Sequence, residues 1–350
     1  MGLYKFNNVG LKVVSACVPS TVIPTSSFSD IYTEDHIAKF IDTTGIVERR
    51  HVKPDQCASD LCVAAANNIF AKTSYKREDV DMMIFVTQTP DFRTPGSGVM
   101  IQDKLQLPKT TLVYDLNETC SGFIHGLLMA YSFLNIEGIN NVLIMVGDTL
   151  SKLINRKDSS SGMLLGDSGM AAIVSKGDQF GESYFSMNAD GSNIDAVITK
   201  GGGFRYMSSA ETLEERKQPD GSFRSFEQSQ MRGEDVFSFA ISHLPKDVKA
   251  LLAYADVDIN NIDKYVFHQA NKFMTSYICK KLKADMSKVL FSINKYGNTA
   301  GVSIPLTMVE HKEMFHPNES ILMNAIGAGF VYGTALVNIG DCEILNMVEL

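Results

Sequence analysis

The sequence predicts an α/β fold built of αβα layers, and three features predict it. The first is a set of short, nearly continuous apolar runs: "MMIFVTQ" (82–88), "NVLIMVGD" (141–148) and "ESILMNAIG" (319–327). Such runs suit strands covered by helices on both faces, where neither face needs polar residues. The second is a set of stretches at helical spacing, among them "SDLCVAAANNIFAKT" (59–73) and "VFSFAISHLPKDVKALLAYA" (236–255). Strands that alternate with helices in this way stack as layers. The third is an internal echo. "REDVDMMIFVTQTPD" (77–91) and "INNIDKYVFHQANKF" (259–273) share a polar lead, an Asp, an apolar strand and a polar exit. "GDSGMAAIVSK" (166–176) and "GAGFVYGTALVNI" (327–339) share a glycine turn and a strand of small residues. The echo predicts two halves, 1–180 and 181–350, that meet near 175–195.

Taken in order, the N-terminal stretch "MGLYKFNNVGLKVVSACVPS" has no basic start followed by a long apolar run, so no signal peptide is expected. Phe6 breaks the myristoylation pattern that Met-Gly would open. No window offers 18 apolar residues, so no membrane span is expected. The six cysteines form no C-x-x-C pair and read as reduced, cytoplasmic thiols. A net charge of −8 argues against a general nucleic-acid binder, which shows a basic face. The histidines suggest no metal site: His311 and His316 are five apart, not at the i, i+4 spacing of a helical zinc pair, and His36, His51 and His243 lack companions. One segment, "GGGFRYMSSAETLEERKQPDGSFRSFEQSQ" (201–230), is polar and glycine-rich. It reads as a surface excursion, either a binding loop or lid or a passive insertion.

The chemistry starts at "LVYDLNETCSGFIHG" (112–126), where a strand-like run meets Cys120 and a helix-prone run comes next. A helix N-terminus offers partial positive charge and free N–H groups, which favour thiolate and can receive an oxyanion. A buried, inert cysteine is the other reading of this stretch. "YVFHQANKF" places His268 just past a strand, and "KYGNTAGVSIPL" places Asn298 in a turn before a helix. Together these supply a nucleophile, a proton-handling imidazole and a neutral hydrogen-bond donor, the parts of an acyl-transfer site.

These stretches resemble the β-ketoacyl-acyl-carrier-protein synthase III family of thiolase-fold condensing enzymes. "CSGF", "HQAN" and "YGNTAGVSIPL" stand where that family has its Cys, His and Asn motifs, and "TGIVERRH" (44–51), "LGDSGMAAIV" (165–174) and "GAGFVYGTALV" (327–337) match as well, in order. The resemblance implies a five-layered αβαβα fold of two duplicated halves, a homodimer, and no tightly bound cofactor or metal. It implies Cys120 as acyl acceptor, with the backbone N–H groups of Cys120 and Ala328 as the oxyanion hole. It implies His268 and Asn298 as enolate stabilisers, Asn271 in a pantetheine tunnel, and Lys280 and Lys281 as docking groups for an acidic acyl carrier protein. Lysine runs are also common on solvated helix faces, so the docking pair keeps that second reading. The resemblance places Thr94 and Phe92 at the acyl pocket, on a segment that reaches across the dimer.

Departures from the family carry information too. Lys39, Thr43 and Ser159 replace residues that hold the nucleotide end of coenzyme A in the family, which favours a carrier-bound donor. Glu118 stands two residues before the nucleophile, where a small residue is usual. It reads as a charge opposing thiolate, a second base, or an ion pair in the dimer interface. The expected activity is decarboxylative Claisen condensation with a malonyl thioester. Transfer of the acyl group to an amine, hydroxyl or sugar, and a non-catalytic partner subunit, are the alternatives.

Overall fold

The computed structural model describes residues 2–350. The strands that build its two main sheets are β1 (Gly2–Phe6), β2 (Val9–Val18), β3 (Met82–Val86), β4 (Leu112–Leu116), β5 (Asn141–Asp148), β6 (Ser168–Lys176), β7 (Ser183–Ala189), β8 (Lys264–Phe267), β9 (Ser320–Ile326), β10 (Val331–Asn338), β11 (Glu343–Ile344) and β12 (Val348–Glu349). The main helices are α1 (Glu34–Thr44), α2 (Ala58–Lys72), α3 (Ser97–Lys104), α4 (Gly122–Phe133), α5 (Gly233–Ala255), α6 (Lys272–Leu282) and α7 (Ser303–Glu310).

The first sheet runs β11-β2-β6-β5-β3-β4, with β12 also on β2, and the second runs β1-β7-β10-β9-β8. The path β2-β6-β5-β3 of the first repeats as β7-β10-β9-β8 in the second, with the same strand directions: β3 is parallel to β5 and β8 is parallel to β9, while the other neighbours are antiparallel. Both echoes of the sequence fall on equivalent strands, β3 with β8 and β6 with β10. Even β4 has a remnant counterpart, a single parallel bridge from Tyr265 to Val289. A division at 180/181 separates the two sheets except at the chain ends. There, β1 joins the second sheet through β7, and β11 and β12 join the first through β2.

Five layers result. Helices α2 and α3 cover the outer face of the first sheet, α5 and α6 cover the outer face of the second, and α4 and α7 lie between the sheets. Every residue from Val142 to Val146 is buried, and so is every residue of β3, because both faces of that sheet are roofed. This is why these strands read as unbroken apolar runs. The helix α4 is mostly apolar for the same reason, burying Phe123, Ile124, Leu127, Ala130 and Tyr131, with His125 and Ser132 on its one less covered side. Each such side chain contributes about 1.5–3 kcal/mol when fully buried. Gly122 lets α4 approach the sheet, since a methyl group there would lie 2.9 Å from Val86 Cγ1.

The 201–230 excursion is hydrogen-bonded into the fold. It carries a short helix, Ala210–Leu213, and a hairpin pairing Arg216–Lys217 with Phe223–Arg224. Arg224 forms an ion pair with the buried Asp158 at 3.0 Å, Asn155 Nδ2 donates to Glu215 at 2.8 Å, and the Ser229 N–H donates to the Leu153 carbonyl at 2.7 Å. The excursion is therefore fastened along the segment 153–159.

Candidate active site

Three separate turns meet at one cavity of about 140 Å³, lined by Cys120, His268, Asn298, Asn271 and Ala328 among others. Cys120 comes after β4 and stands two residues before α4. His268 directly succeeds β8, and Asn298 lies in the turn that leads to α7. The central helices thus begin at the cavity, one from each half.

Cys120 keeps some surface accessible through the cavity, but protein surrounds it otherwise. That burial, with the nearby Asp148 carboxylate, pushes its thiol up to about 12. The expected depression by the helix terminus is therefore overturned: a helix end supplies at most about 2 kcal/mol, and desolvation outweighs it. Asp148 ends β5 and is itself raised to about 6 by burial, although it accepts from the Gln88 N–H at 2.9 Å, Thr89 Oγ1 at 3.0 Å and Thr87 Oγ1 at 3.1 Å. His268 moves the other way. Burial lowers it to about 4, partly offset by a backbone hydrogen bond to Ala300, so it is neutral near pH 7. Its Nδ1 is 2.8 Å from Ser303 Oγ, which leaves Nε2 for the cavity. Asn298 Oδ1 accepts the Ala300 N–H at 2.9 Å, so its amide NH2 is the end left to donate. Ala300 adopts a left-handed φ of 46° at this turn.

The two expected oxyanion donors differ in their surroundings. The Cys120 N–H lies against its own sulfur and has no other acceptor among the described residues. The Ala328 N–H, expected as the second donor, is instead given to Thr119 Oγ1 at 2.8 Å. Asn271 lines the cavity as expected, and its Oδ1 also caps α6 by accepting the Met274 N–H at 2.7 Å.

The remaining expected residues divide. Lys280 is exposed, with no side-chain partner among the described residues. Lys281 is exposed as well, and its Nζ donates to the Ile241 carbonyl at 2.9 Å. Pro245, inside α5, has no N–H to give that carbonyl, and Lys281 substitutes for it. Phe92 is 58% exposed and Thr94 is also exposed, and neither lines the cavity of its own chain. Glu118 pairs within its own chain, with His125 Nδ1 3.0 Å from Oε1, rather than facing the cavity. Lys39, Thr43 and Ser159 are exposed, and Ser159 Oγ is 2.9 Å from Ser222 Oγ of the excursion. Sequence reasoning missed Thr119, Asp148 and Ser303. Only Ser303 left a signal, as the serine inside "GVSIPL".

The duplicated five-layer arrangement defines a thiolase-like condensing enzyme, and comparison with known proteins narrows this. Residues 114–191 match the family model for 3-oxoacyl-[acyl-carrier-protein] synthase III, and residues 252–339 match the model for its C-terminal part. The β-ketoacyl-[acyl-carrier-protein] synthase III of Fusobacterium nucleatum is 31% identical over 334 residues, covering 94% of this chain and 98% of the relative. That of Clostridioides difficile is 30% identical over 316 residues, covering 87% and 93%. The crystal structure of a 3-oxoacyl-(acyl-carrier protein) synthase from Burkholderia xenovorans superposes with a TM-score of 0.93 at 28% identity, covering 100% of this chain and 99% of that one. The chain belongs to the 3-oxoacyl-[acyl-carrier-protein] synthase III family of condensing enzymes, and it is an acyltransferase of that type.

Proposed function

We propose that Cys120 accepts an acyl group from a thioester and that the acyl-enzyme then condenses with a malonyl thioester. The observation that carries this reading is the single cavity shared by Cys120, His268 and Asn298. In the first step the neutral His268 takes the thiol proton as the Cys120 sulfur bonds to the acyl carbon. The donor thiolate leaves and takes that proton. In the second step the malonyl thioester loses CO2, and its enolate oxygen is held by the Asn298 amide and by His268 once its ring proton has exchanged from Nδ1 to Nε2 through solvent, with Ser303 Oγ then donating to Nδ1. The enolate carbon bonds to the acyl carbon, and the Cys120 thiolate is released and reprotonated. Each step uses chemistry the thioesters bring, so the reaction requires no resident cofactor or metal.

A carrier-bound donor fits the exposed Lys280 and the loss of nucleotide contacts at Lys39, Thr43 and Ser159. A homodimer fits the outer edge of β4, which has a strand neighbour on one side only and exposes Leu112 and Tyr114. Phe92 and Thr94 would then close the acyl pocket of the other copy. The same reading takes 1–180 and 181–350 as duplicated halves with exchanged ends. No helix among the described residues is long and apolar enough to cross a membrane, in keeping with a cytoplasmic enzyme.

Intact-protein mass spectrometry after mixing with acyl-coenzyme A and acyl-carrier-protein panels tests the reading. The expected result is a mass gain that disappears in Cys120→Ala and forms faster from the carrier panel. Added malonyl-carrier should discharge the adduct as a 3-oxoacyl product. Discharge to an amine or hydroxyl instead would make the enzyme a simple transferase.

A further inference from the structure

We propose that Gln88 reads a hydroxyl group on the acyl chain, a few bonds from its thioester carbon, so that the acyl donor is a hydroxyacyl thioester. The inference rests on the acyl-Cys120 reading above and names the class of acyl group that the site takes. Gln88 lies two residues beyond β3 and lines the same cavity as Cys120, His268 and Asn298. Asp148 fixes its orientation. The Gln88 N–H donates to Asp148 Oδ1 at 2.9 Å, and its side-chain Nε2 donates to Asp148 Oδ2 at 3.2 Å. Thr87 and Thr89 donate to the same carboxylate from either side, at 3.1 and 3.0 Å. A carboxylate only accepts, so the Gln88 amide cannot flip and keep its bond. The carboxamide oxygen is therefore the end left for a ligand. Among the described residues it accepts no hydrogen bond, yet it is not sealed from solvent.

The packing puts this oxygen near the start of an acyl chain on Cys120. Gly122, two residues after Cys120, abuts Val86, two residues before Gln88, with only 2.9 Å from a methyl group built on Gly122 to Val86 Cγ1. The carboxylate that holds Gln88 is also the one close enough to Cys120 to help push its thiol up.

The cavity offers donors as well as this acceptor. Ser161 lines it, is 2% exposed, and its Oγ has no hydrogen-bond partner among the described residues. Ser229, at the end of the 201–230 excursion, also lines it, and its Oγ makes no hydrogen bond among the described residues. Native proteins leave few buried polar atoms unpaired, because each one costs stability. A hydroxyl substituent both donates and accepts, so it suits a fixed carbonyl and rotatable serine hydroxyls together. A plain hydrocarbon chain would displace water from these groups and give nothing back. Leu150, Leu165, Val197 and Ile326 supply apolar wall for the rest of the chain.

The test measures the rate of Cys120 acylation by octanoyl-N-acetylcysteamine and by the two enantiomers of 3-hydroxyoctanoyl-N-acetylcysteamine, using intact-protein mass. All three carry the same leaving group, so contacts with the thioester arm cancel in the rate ratios. The unaltered protein should take one 3-hydroxyoctanoyl enantiomer about tenfold faster than octanoyl, the usual difference between a buried hydrogen bond made and one left unmade. Gln88→Met keeps the length of the side chain but has no carbonyl, and it should bring that ratio to about one. Gln88→Leu should do the same, and the ratio reads the effect whatever the absolute rates. A ratio of one or less for both enantiomers in the unaltered protein would overturn the proposal without any variant. A preference that survives in Gln88→Met or Gln88→Leu would also overturn it, because another group would then be reading the hydroxyl. Failure of the unaltered protein to form acyl-Cys120 from any of the three thioesters would instead count against the acyl-enzyme reading.

Discussion

The strands Met82–Val86 and Lys264–Phe267 occupy the same place in their respective sheets, yet the residues at their C-terminal ends differ. Thr87 and Gln88 leave the first strand and bind the buried carboxylate of Asp148. His268 leaves the second and rests on Ser303. The central helices diverge in the same way, one preceded by Cys120 and the other by the Asn298 turn. One half thus supplies a thiol beside a carboxylate and the other an imidazole and an amide, which the proposed reaction uses as nucleophile, base and hydrogen-bond donor. Burial acts on both in one direction. It raises the acids Cys120 and Asp148, to about 12 and about 6, and lowers the base His268 to about 4. Each shift disfavours charge. The duplicated scaffold therefore keeps Cys120 and His268 neutral near pH 7, while Asp148, at about 6, stays mostly ionised.

The sharpest test of this division of labour separates the two chemical steps. Asn298→Ala should leave most acyl-Cys120 formation intact, whereas His268→Ala, which also removes the base of the first step, should slow both steps. Either change should slow decarboxylation of a malonyl thioester about 10²–10³-fold, the usual loss on removing an oxyanion-stabilising donor. Acyl-adduct mass and CO2 release, measured on the same variant, distinguish the steps. If acylation suffered as much as decarboxylation in Asn298→Ala, the halves would not divide the work this way.

Acid stability offers a second, smaller contrast. His268 is held at about 4 in the fold against an ordinary 6.5, so the unfolded chain binds its proton first. That group costs stability as pH falls from 6.5 toward 4, about 2 kcal/mol by pH 5. Asp148 has the opposite sign. Its folded value of about 6 exceeds the ordinary 3.8, so the fold gains protons first, and its contribution improves as pH falls from 7 toward 4. This returns about 1 kcal/mol between pH 7 and 5. His268→Asn should flatten the fall in Tm between pH 7 and 5, and Asp148→Asn should steepen it. Identical slopes in the two variants would remove the electrostatic part of the comparison.

The outer helices give the smallest expected effect. Lys104, at the end of α3 in the first half, is paired with Asp60 at 2.9 Å. Lys280, near the end of α6 in the second, is free among the described residues, while Lys281 is tied to Ile241. Lys281→Ala should lower stability by about 0.5–1 kcal/mol and leave carrier binding unchanged, because it removes one hydrogen bond. Lys280→Ala should do the reverse, weakening carrier binding by up to about 1 kcal/mol and most at low salt. Thermal melts and carrier titrations at two salt concentrations check both.

How much of this was legible depends on the range of each interaction. The buried strands were legible because roofing on both faces leaves a continuous apolar run. The duplication was legible because equivalent strands keep equivalent polar ends. Cys120, His268 and Asn298 were legible as residue types at strand ends and turns, strengthened by a family resemblance across the chain. The sequence by itself thus determined the layers, the repeat and three side chains that the fold brings to one cavity. The tertiary structure alone decided how those side chains are tuned. Thr119 meets Ala328 across 209 residues of chain, Ser303 reaches His268 across 35, and Lys281 finds a carbonyl that a proline left without its helical partner. No local pattern encodes such contacts, because hydrogen bonding and desolvation depend on which atoms the packed layers bring within a few ångströms. For the same reason, the thiol that a helix terminus alone would acidify is instead held protonated by the protein around it.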